Sequence, residues 1–111
     1  MKLTILGSGT CILTKKRSAP SLLLEISAPG GKNKKMLFDC GPGTFMNLVK
    51  ANVDWNNIDY FFITHFHADH LVDLMQLLQA IFVKMLFLPE EKREKPILLF
   101  GPPGFKKFIS N

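Results

Sequence analysis

The sequence predicts an α/β fold (α+β in some classifications), because short apolar strands and amphipathic helical stretches occur together in one chain. Strand patterns lie at residues 3–6, 21–26, 35–38, 60–63 and 96–100, and helical patterns at 45–50, 71–85 and 105–109. The chain has 111 residues, of which 47% are hydrophobic and 21% charged, and this composition excludes a disordered or fibrous protein. That length fits one small domain or part of a larger one.

Glycine-rich turns separate the first three predicted strands. The strand at 3–6 is predicted to be buried, and it ends at Gly7-Ser8-Gly9, which is typical of a tight loop. The strands at 21–26 and 35–38 are predicted to form a hairpin, because residues 28–34 contain a proline, two glycines and an asparagine. The lysines of this turn are expected to keep its exposed end soluble.

Asp39 follows the third strand directly, at a sharp turn that contains two glycines and a proline. One interpretation is that its carboxylate caps the short helix at 45–50 by accepting backbone N–H groups. The other is that Asp39 hydrogen-bonds a metal-ligating histidine and holds the orientation of that ring. The residues by themselves favour the cap.

A longer helix is predicted over residues 71–85, where apolar side chains recur at intervals of three and four. We expect one buried face and regard its two methionines as core residues instead of metal ligands; the face comprises Leu71, Leu74, Met75, Leu78, Phe82 and Met85. Polar residues interrupt this stretch, so a membrane span is not expected. The charge run at 90–95 is predicted to be a solvated loop.

Composition also bears on partners and location. Fourteen Lys and Arg against nine Asp and Glu give a net charge of +5, which favours polyanionic partners such as RNA, although a solvated basic surface would have the same composition. Cys11 and Cys40 are too few for a disulfide framework, and the apolar stretch at the N-terminus is too short for a signal peptide. We therefore expect a soluble, cytoplasmic protein.

Four metal-capable side chains lie within six consecutive positions, directly after the strand at 60–63. They are His65, His67, Asp69 and His70, and they include every histidine of the chain. His65 and His67 are two apart in an extended segment, so both can meet one metal ion, while Asp69 and His70 lie where a helix begins and can serve a second. Nitrogen and oxygen donors suit Zn²⁺, with Mn²⁺ or Fe as substitutes. The alternative is that these are ordinary histidines beside a helix cap formed by Asp69.

A pair of metal ions makes hydrolysis the expected reaction, and it leaves open whether a phosphodiester, lactam, thioester or lactone is cleaved. The segment is too short to hold two ions by itself, and no histidine follows His70. We therefore expect the remaining ligands in a C-terminal part that residues 1–111 lack, or in another chain.

The H-x-H-x-D-H pattern at 65–70 resembles the signature of the metallo-β-lactamase superfamily, and residues 6–10, 14–18, 37–41, 63–65 and 100–102 are similar to ribonuclease Z. The resemblance implies a four-layer αβ/βα sandwich, of which residues 1–111 would be the N-terminal half, with two zinc ions at the edge of its sheets. It assigns His65 and His67 to the first ion and Asp69 and His70 to the second. It also makes Asp69 the proton-transfer residue and Asp39 the support of a ligand histidine, which reverses the preference for a cap.

The resemblance further implies a zinc-dependent hydrolase that cleaves phosphodiester bonds by a metal-activated hydroxide, with the 3′ end of precursor tRNA as the expected substrate. The alternatives are a hydrolase of a small ester, lactone or thioester, and a non-catalytic module that binds RNA. The family often forms homodimers. We expect residues 1–111 alone to be inactive and of low stability, because the sheet face meant for the other half would be exposed.

Overall fold

The computed structural model describes residues 1–10, 12, 14–15, 17–31, 33–91, 93 and 95–110, and for Ala68 and Asp69 it describes only the backbone. The strands in these ranges are β1 (Lys2–Gly7), β2 (Ser21–Ile26), β3 (Lys34–Phe38), β4 (Tyr60–Phe62) and β5 (Leu98–Phe100). The α-helices are α1 (Thr44–Lys50), α2 (Ala68–Phe87) and α3 (Phe105–Ser110), and short 3₁₀ turns lie at Pro29–Gly31, Trp55–Asn57 and Pro89–Glu91. The predicted α/β class is confirmed.

The strands lie in one sheet in their sequence order. β1, β2 and β3 are antiparallel neighbours, which confirms the predicted hairpin, and β4 and β5 run parallel to β3. Gly30 and Gly31 in the hairpin turn have φ of 81° and 75°, a region that glycine enters without steric cost. Because parallel strands end at the same edge of a sheet, the residues that follow β3, β4 and β5 meet there.

One face of the sheet lies beneath the helices. Leu23, Leu37 and Phe61 are each at most 1% exposed, and they belong to one core with Leu48 of α1 and Leu77 of α2. The described residues thus form one sheet layer and one helix layer, with the core between them.

The opposite face of the sheet is also apolar, and it is partly or largely exposed in the described chain. The strand register aligns ten side chains there in two rows, which we call the open face: Ile5, Leu22, Phe38, Phe62 and Phe100 in one row, and Leu3, Leu24, Met36, Tyr60 and Leu98 in the other. The rings of Phe38 and Phe100 both stack on Phe62, with centroid distances of 4.9 and 5.0 Å. Ile5 is 67% exposed, so the prediction of a buried first strand is wrong: β1 is an edge strand in which Leu6 is the buried residue.

Helix α2 is apolar around much of its circumference. The sheet buries the stripe formed by Leu74, Leu77 and Ile81, each at most 2% exposed. The neighbouring stripe is exposed, and its members are Met75 (69%), Phe82 (55%) and Met85 (37%). The prediction of one buried face is therefore wrong for these three residues. The period of 3.6 residues identifies apolar positions, but it does not choose between two adjacent apolar stripes.

The two stripes of α2 differ in their expected contribution to stability. Leu77→Ala is expected to lower the free energy of unfolding by about 2–5 kcal/mol, because it leaves a cavity in the core. Met75→Ala, on the exposed stripe and two residues away in sequence, is expected to change it by no more than about 0.5 kcal/mol. Urea unfolding of both variants at low protein concentration measures the difference. Equal losses would show that the wrong stripe has been assigned to the core.

Arg93 is buried, at 7% exposure, within the charge run that was predicted to be a solvated loop. Its guanidinium donates to the backbone carbonyls of Asn56, Lys95 and Pro96 at 3.1, 2.9 and 3.3 Å. Burial lowers the pKa of Arg93, and the carboxylate of Asp59 opposes that shift. The loop prediction is therefore wrong for Arg93, while Lys92 and Glu94 lie outside the described residues.

One described segment, His70–Phe87 of α2, is long and apolar enough by length and composition to cross a membrane. The core helices of globular proteins meet the same criterion. This helix packs against the sheet through Leu74, Leu77 and Ile81.

Candidate metal centre

The predicted metal-binding segment lies at the edge where the parallel strands end. Asp39, directly after β3, donates its backbone N–H to the carbonyl of Phe62 in β4 at 2.7 Å, and Ile63 donates to the carbonyl of Phe100 in β5 at 2.8 Å. The residue that follows Ile63 is Thr64, and the histidines come next. Strand pairing therefore brings Asp39 beside the start of the histidine segment.

Asp39 contacts the segment between β4 and α2 through both of its carboxylate oxygens. Oδ1 accepts the backbone N–H of Thr64 at 2.8 Å, and Oδ2 lies 2.9 Å from Nδ1 of His70. Asp39 is 8% exposed, and its φ of 61° is uncommon for a residue other than glycine. The residue before α1, Gly43, makes no side-chain cap, so the interpretation of Asp39 as a helix cap is wrong.

The carboxylate that caps the start of α1 belongs to Asp73, in the second turn of α2, and not to Asp39. Its Oδ2 accepts the backbone N–H of Phe45 at 2.8 Å. Backbone bonds join the same two elements, because Cys40 N–H donates to the carbonyl of His70 at 2.5 Å and Asp73 N–H donates to the carbonyl of Cys40 at 2.9 Å. The start of α2 and the corner after β3 are therefore held together as one unit.

Burial raises the pKa of the Cys40 thiol strongly, and the nearby carboxylates of Asp73 and Asp39 raise it further. The thiol is therefore neutral, and it packs as a small apolar group in the core.

The structure brings the three predicted histidines together. The rings of His65 and His70 stack with their centroids 4.3 Å apart, and those of His65 and His67 lie 5.6 Å apart. His67 has an extended backbone, with φ −69° and ψ 145°, directly before the first residue of α2. The side chain of Asp69 lies outside the described residues, so its roles as a metal ligand and in proton transfer stay predictions.

The described side chains do not complete a metal site: among them, no group of three or more His, Cys, Asp or Glu is arranged to hold an ion. Their chemistry nonetheless suits part of a zinc site, since three imidazoles are adjacent. Nδ1 of His70 contacts Asp39 and Nδ1 of His65 contacts the hydroxyl of Thr64, and metal-bound histidines usually make such a bond with their second nitrogen. The contact with Thr64 leaves Nε2 of His65 for a ligand.

Phe66 lies between the first two histidines, and its ring packs against α3. The ring stacks on Phe108 at 5.0 Å and on Phe105 at 6.0 Å between centroids. Alternation in an extended segment, which places residue 66 opposite residues 65 and 67, could have predicted this direction. Thr64 and Asp73 were also missed, and no local pattern marks Asp73 as the cap of a helix so distant in sequence.

A mixed sheet with helices on one face, and an H-x-H-x-D-H segment where its parallel strands end, defines the class of metallo-β-lactamase fold proteins. The chain belongs to the family described as Anti-Pycsar protein Apyc1, whose model matches residues 1–103.

Curated relatives carry the name ribonuclease Z. The protein of that name from Methanococcus maripaludis (strain C6) is 35% identical over 111 residues, which are 100% of this chain and 32% of the relative. The one from Borreliella afzelii is 35% identical over 109 residues, which are 98% of this chain and 31% of the relative. The chain thus spans about a third of the length of these relatives.

Solved structures show the same similarity as the curated relatives. The short form of human tRNase Z is 34% identical, with a TM-score of 0.75 over 99% of this chain and 37% of that protein. The metallo-β-lactamase fold protein YhfI from Bacillus subtilis is 20% identical, with a TM-score of 0.77 over 97% of this chain and 41% of that protein, and it supports the fold alone. The predicted similarity to the metallo-β-lactamase superfamily and to ribonuclease Z is confirmed.

Proposed function

We propose that this chain carries part of the binuclear metal site of a zinc-dependent hydrolase. His65, His67, Asp69 and His70 are the proposed ligands, and Asp69 is the proposed proton-transfer residue. The observation that carries the proposal is the contact of Nδ1 of His70 with Asp39 beside the stacked ring of His65. Zinc ions, or Mn²⁺ or Fe in their place, supply an activated water and neutralise negative charge on the substrate.

The proposed substrate is a phosphodiester, and the 3′ end of precursor tRNA is the first candidate. Similarity to proteins named ribonuclease Z and tRNase Z supports this choice. The net charge of +5 is also suited to a polyanion. Residues of this chain would orient the ligands. Asp39 contacts Nδ1 of His70, and the ring of Phe66 packs the histidine segment against α3. A cytoplasmic location and a homodimer remain predictions.

The product of the complete reading frame is the protein in which to test hydrolysis. With zinc bound, we expect it to cleave precursor tRNA or bis(p-nitrophenyl) phosphate, to lose this activity in EDTA and to regain it with added zinc. The chain of residues 1–111 is expected to be inactive by itself, because its described side chains do not complete a metal site.

Three outcomes would contradict the proposal in different ways. Turnover of a lactone, thioester or carboxylic ester without turnover of either phosphodiester would favour the small-ester alternative. RNA binding that is salt-dependent, unaffected by EDTA and not followed by cleavage would favour a non-catalytic module. Full activity of residues 1–111 as a monomer would refute the need for further ligands.

A second candidate function follows from the family match over residues 1–103, because the description of that family names an anti-Pycsar protein and states no reaction. We propose action against Pycsar as a biological role compatible with the same hydrolytic site. The expected result is that the complete protein counteracts Pycsar and that His65→Ala abolishes this effect. An unchanged effect of the variant would separate the role from the metal site.

A further inference from the structure

We infer that Thr64 is a positioning residue through which the carboxylate of Asp39 orients His65, so that one buried carboxylate sets the tautomers of two histidines. Asp39 acts directly on His70 and indirectly, through the hydroxyl of Thr64, on His65. The inference concerns the metal site proposed above and depends on it for its functional meaning.

The hydroxyl of Thr64 lies between the carboxylate and the imidazoles. Its Oγ1 is 2.8 Å from Oδ2 and 3.0 Å from Oδ1 of Asp39, and 2.7 Å from Nδ1 of His65. Nδ1 of His70 lies farther away, at 3.3 Å. The backbone N–H of Thr64 donates to Oδ1 of Asp39 as well, at 2.8 Å. The backbone bond therefore holds the residue in place independently of its side chain.

The number of available protons determines the direction of these bonds. A carboxylate only accepts, and a hydroxyl has a single hydrogen to donate. If Thr64 donated to His65, its contact of 2.8 Å with Asp39 would join two oxygens with no proton between them. Donation to Asp39 leaves Oγ1 free to accept from Nδ1–H of His65. This arrangement places a proton in each of the short contacts.

The same reasoning applies to His70, whose Nδ1–H donates to Oδ2 of Asp39 at 2.9 Å. His65 and His70 then both carry their proton on Nδ1, so the ring lone pair of each is on Nε2. A histidine must be neutral, with a free lone pair, to bind a metal. Asp39 and Thr64 thus prepare two rings, which already stack 4.3 Å apart, before any metal arrives.

Two variants of Thr64 separate the hydroxyl from the rest of the side chain. Thr64→Val removes the hydroxyl and keeps the branched shape and the backbone N–H, whereas Thr64→Ser keeps the hydroxyl. In the metal-free chain at about pH 8, where an ordinary histidine is neutral, long-range ¹H–¹⁵N NMR reports which ring nitrogen carries the proton. The chain has three histidines, so three ring signals are expected.

We expect Nδ1–H for His65 in the wild type and in Thr64→Ser, and a substantial fraction of Nε2–H in Thr64→Val. In the product of the complete reading frame, competition with a chromophoric chelator should show zinc affinity about tenfold lower for Thr64→Val, the smaller end of the 10–100-fold range for such supporting partners. Thr64→Ser should retain the wild-type affinity. Amide dispersion in the same spectra checks that each variant is folded.

Three results would overturn the inference: a wild-type His65 protonated on Nε2, a Thr64→Val variant with unchanged tautomer and affinity, or a Thr64→Ser variant that behaves like Thr64→Val. The first of these results is measured on the wild type, so the inference can be refuted even if a variant fails to fold. If the tautomers respond as expected but the complete wild-type protein binds no zinc, the proposed function fails and the positioning role of Thr64 stands.

Discussion

In the product of the complete reading frame, replacing Asp39 with asparagine is expected to weaken zinc binding by about 100-fold, the upper end of the range for such supporting partners and a larger loss than either variant of Thr64 produces. Asp39 is the common acceptor for Nδ1 of His70, the hydroxyl of Thr64 and the backbone N–H of Thr64. Asparagine retains one acceptor oxygen, and its amide nitrogen would face a donor. Both His65 and His70 would therefore lose their support at once.

Asparagine is the informative replacement because of the backbone at this position. Asp39 has φ 61°, in the left-handed region that asparagine adopts more readily than most other residues. Asp39→Asn therefore removes charge and an acceptor without forcing the corner after β3 to change its conformation. A loss of zinc affinity can then be attributed to the contacts of the side chain.

Asp54→Asn is the matched control for this substitution. Its carboxylate lies in the turn before β4, where it is exposed and accepts a hydrogen bond from Asn57 at 2.7 Å. We expect this variant to bind zinc as the wild type does, measured by competition with a chromophoric chelator. Equal affinities of the two asparagine variants would contradict the supporting role of Asp39.

The chain of residues 1–111 is expected to self-associate through the open face and to bind a hydrophobic dye such as ANS. Patches of this kind mark interaction surfaces or aggregation sites, and the open face comprises ten apolar side chains on five strands. Leu3, Ile5 and Leu98 are 58%, 67% and 42% exposed and lie on the two edge strands. Lysine at these three positions should lower dye binding and favour the monomer without unfolding the chain.

The exposed stripe of α2 provides the control for this prediction. Met75 and Phe82 are 69% and 55% exposed, and lysine at both positions adds charge to a different apolar surface. Sedimentation velocity over a range of concentrations compares the two sets of variants. If the variant with lysines on α2 is monomeric and the variant with lysines on the open face associates like the wild type, then self-association occurs through α2 and not through the open face.

The histidine cluster could be predicted from the sequence because its chemistry is local. Spacing along an extended segment predicts that His65 and His67 share one side, and the residue types indicate which class of metal to expect. The role of Asp39 could not be chosen in this way, since a carboxylate after a strand can cap a helix or support a histidine equally well. The structure decides between them, because the carboxylate of Asp39 contacts Thr64 and His70 beyond the paired ends of β3 and β4, and Asp73 accepts from the start of α1.

The wrong predictions for Met75 and Arg93 have related causes. Met75 and Leu77 are both apolar residues of one helix, and only the position of the sheet decides that Leu77 is buried and Met75 exposed. Arg93 lies in a run of charged residues, a pattern that predicts a solvent-exposed side chain. Its guanidinium donates to the carbonyls of the nearby residues Lys95 and Pro96 and to that of the distant Asn56, and no sequence pattern records that this distant carbonyl lies there.

By itself, the sequence determined which histidines cluster at the candidate site, the hairpin, and most of the strands and helices around it, because each depends on neighbours within a few residues. The tertiary structure decided which partner each side chain has. Asp39 meets His70, Thr64 stands between Asp39 and His65, and Asp73 caps α1. These contacts depend on how strands pair and which helix face the sheet covers, and those choices are made by packing over the whole chain.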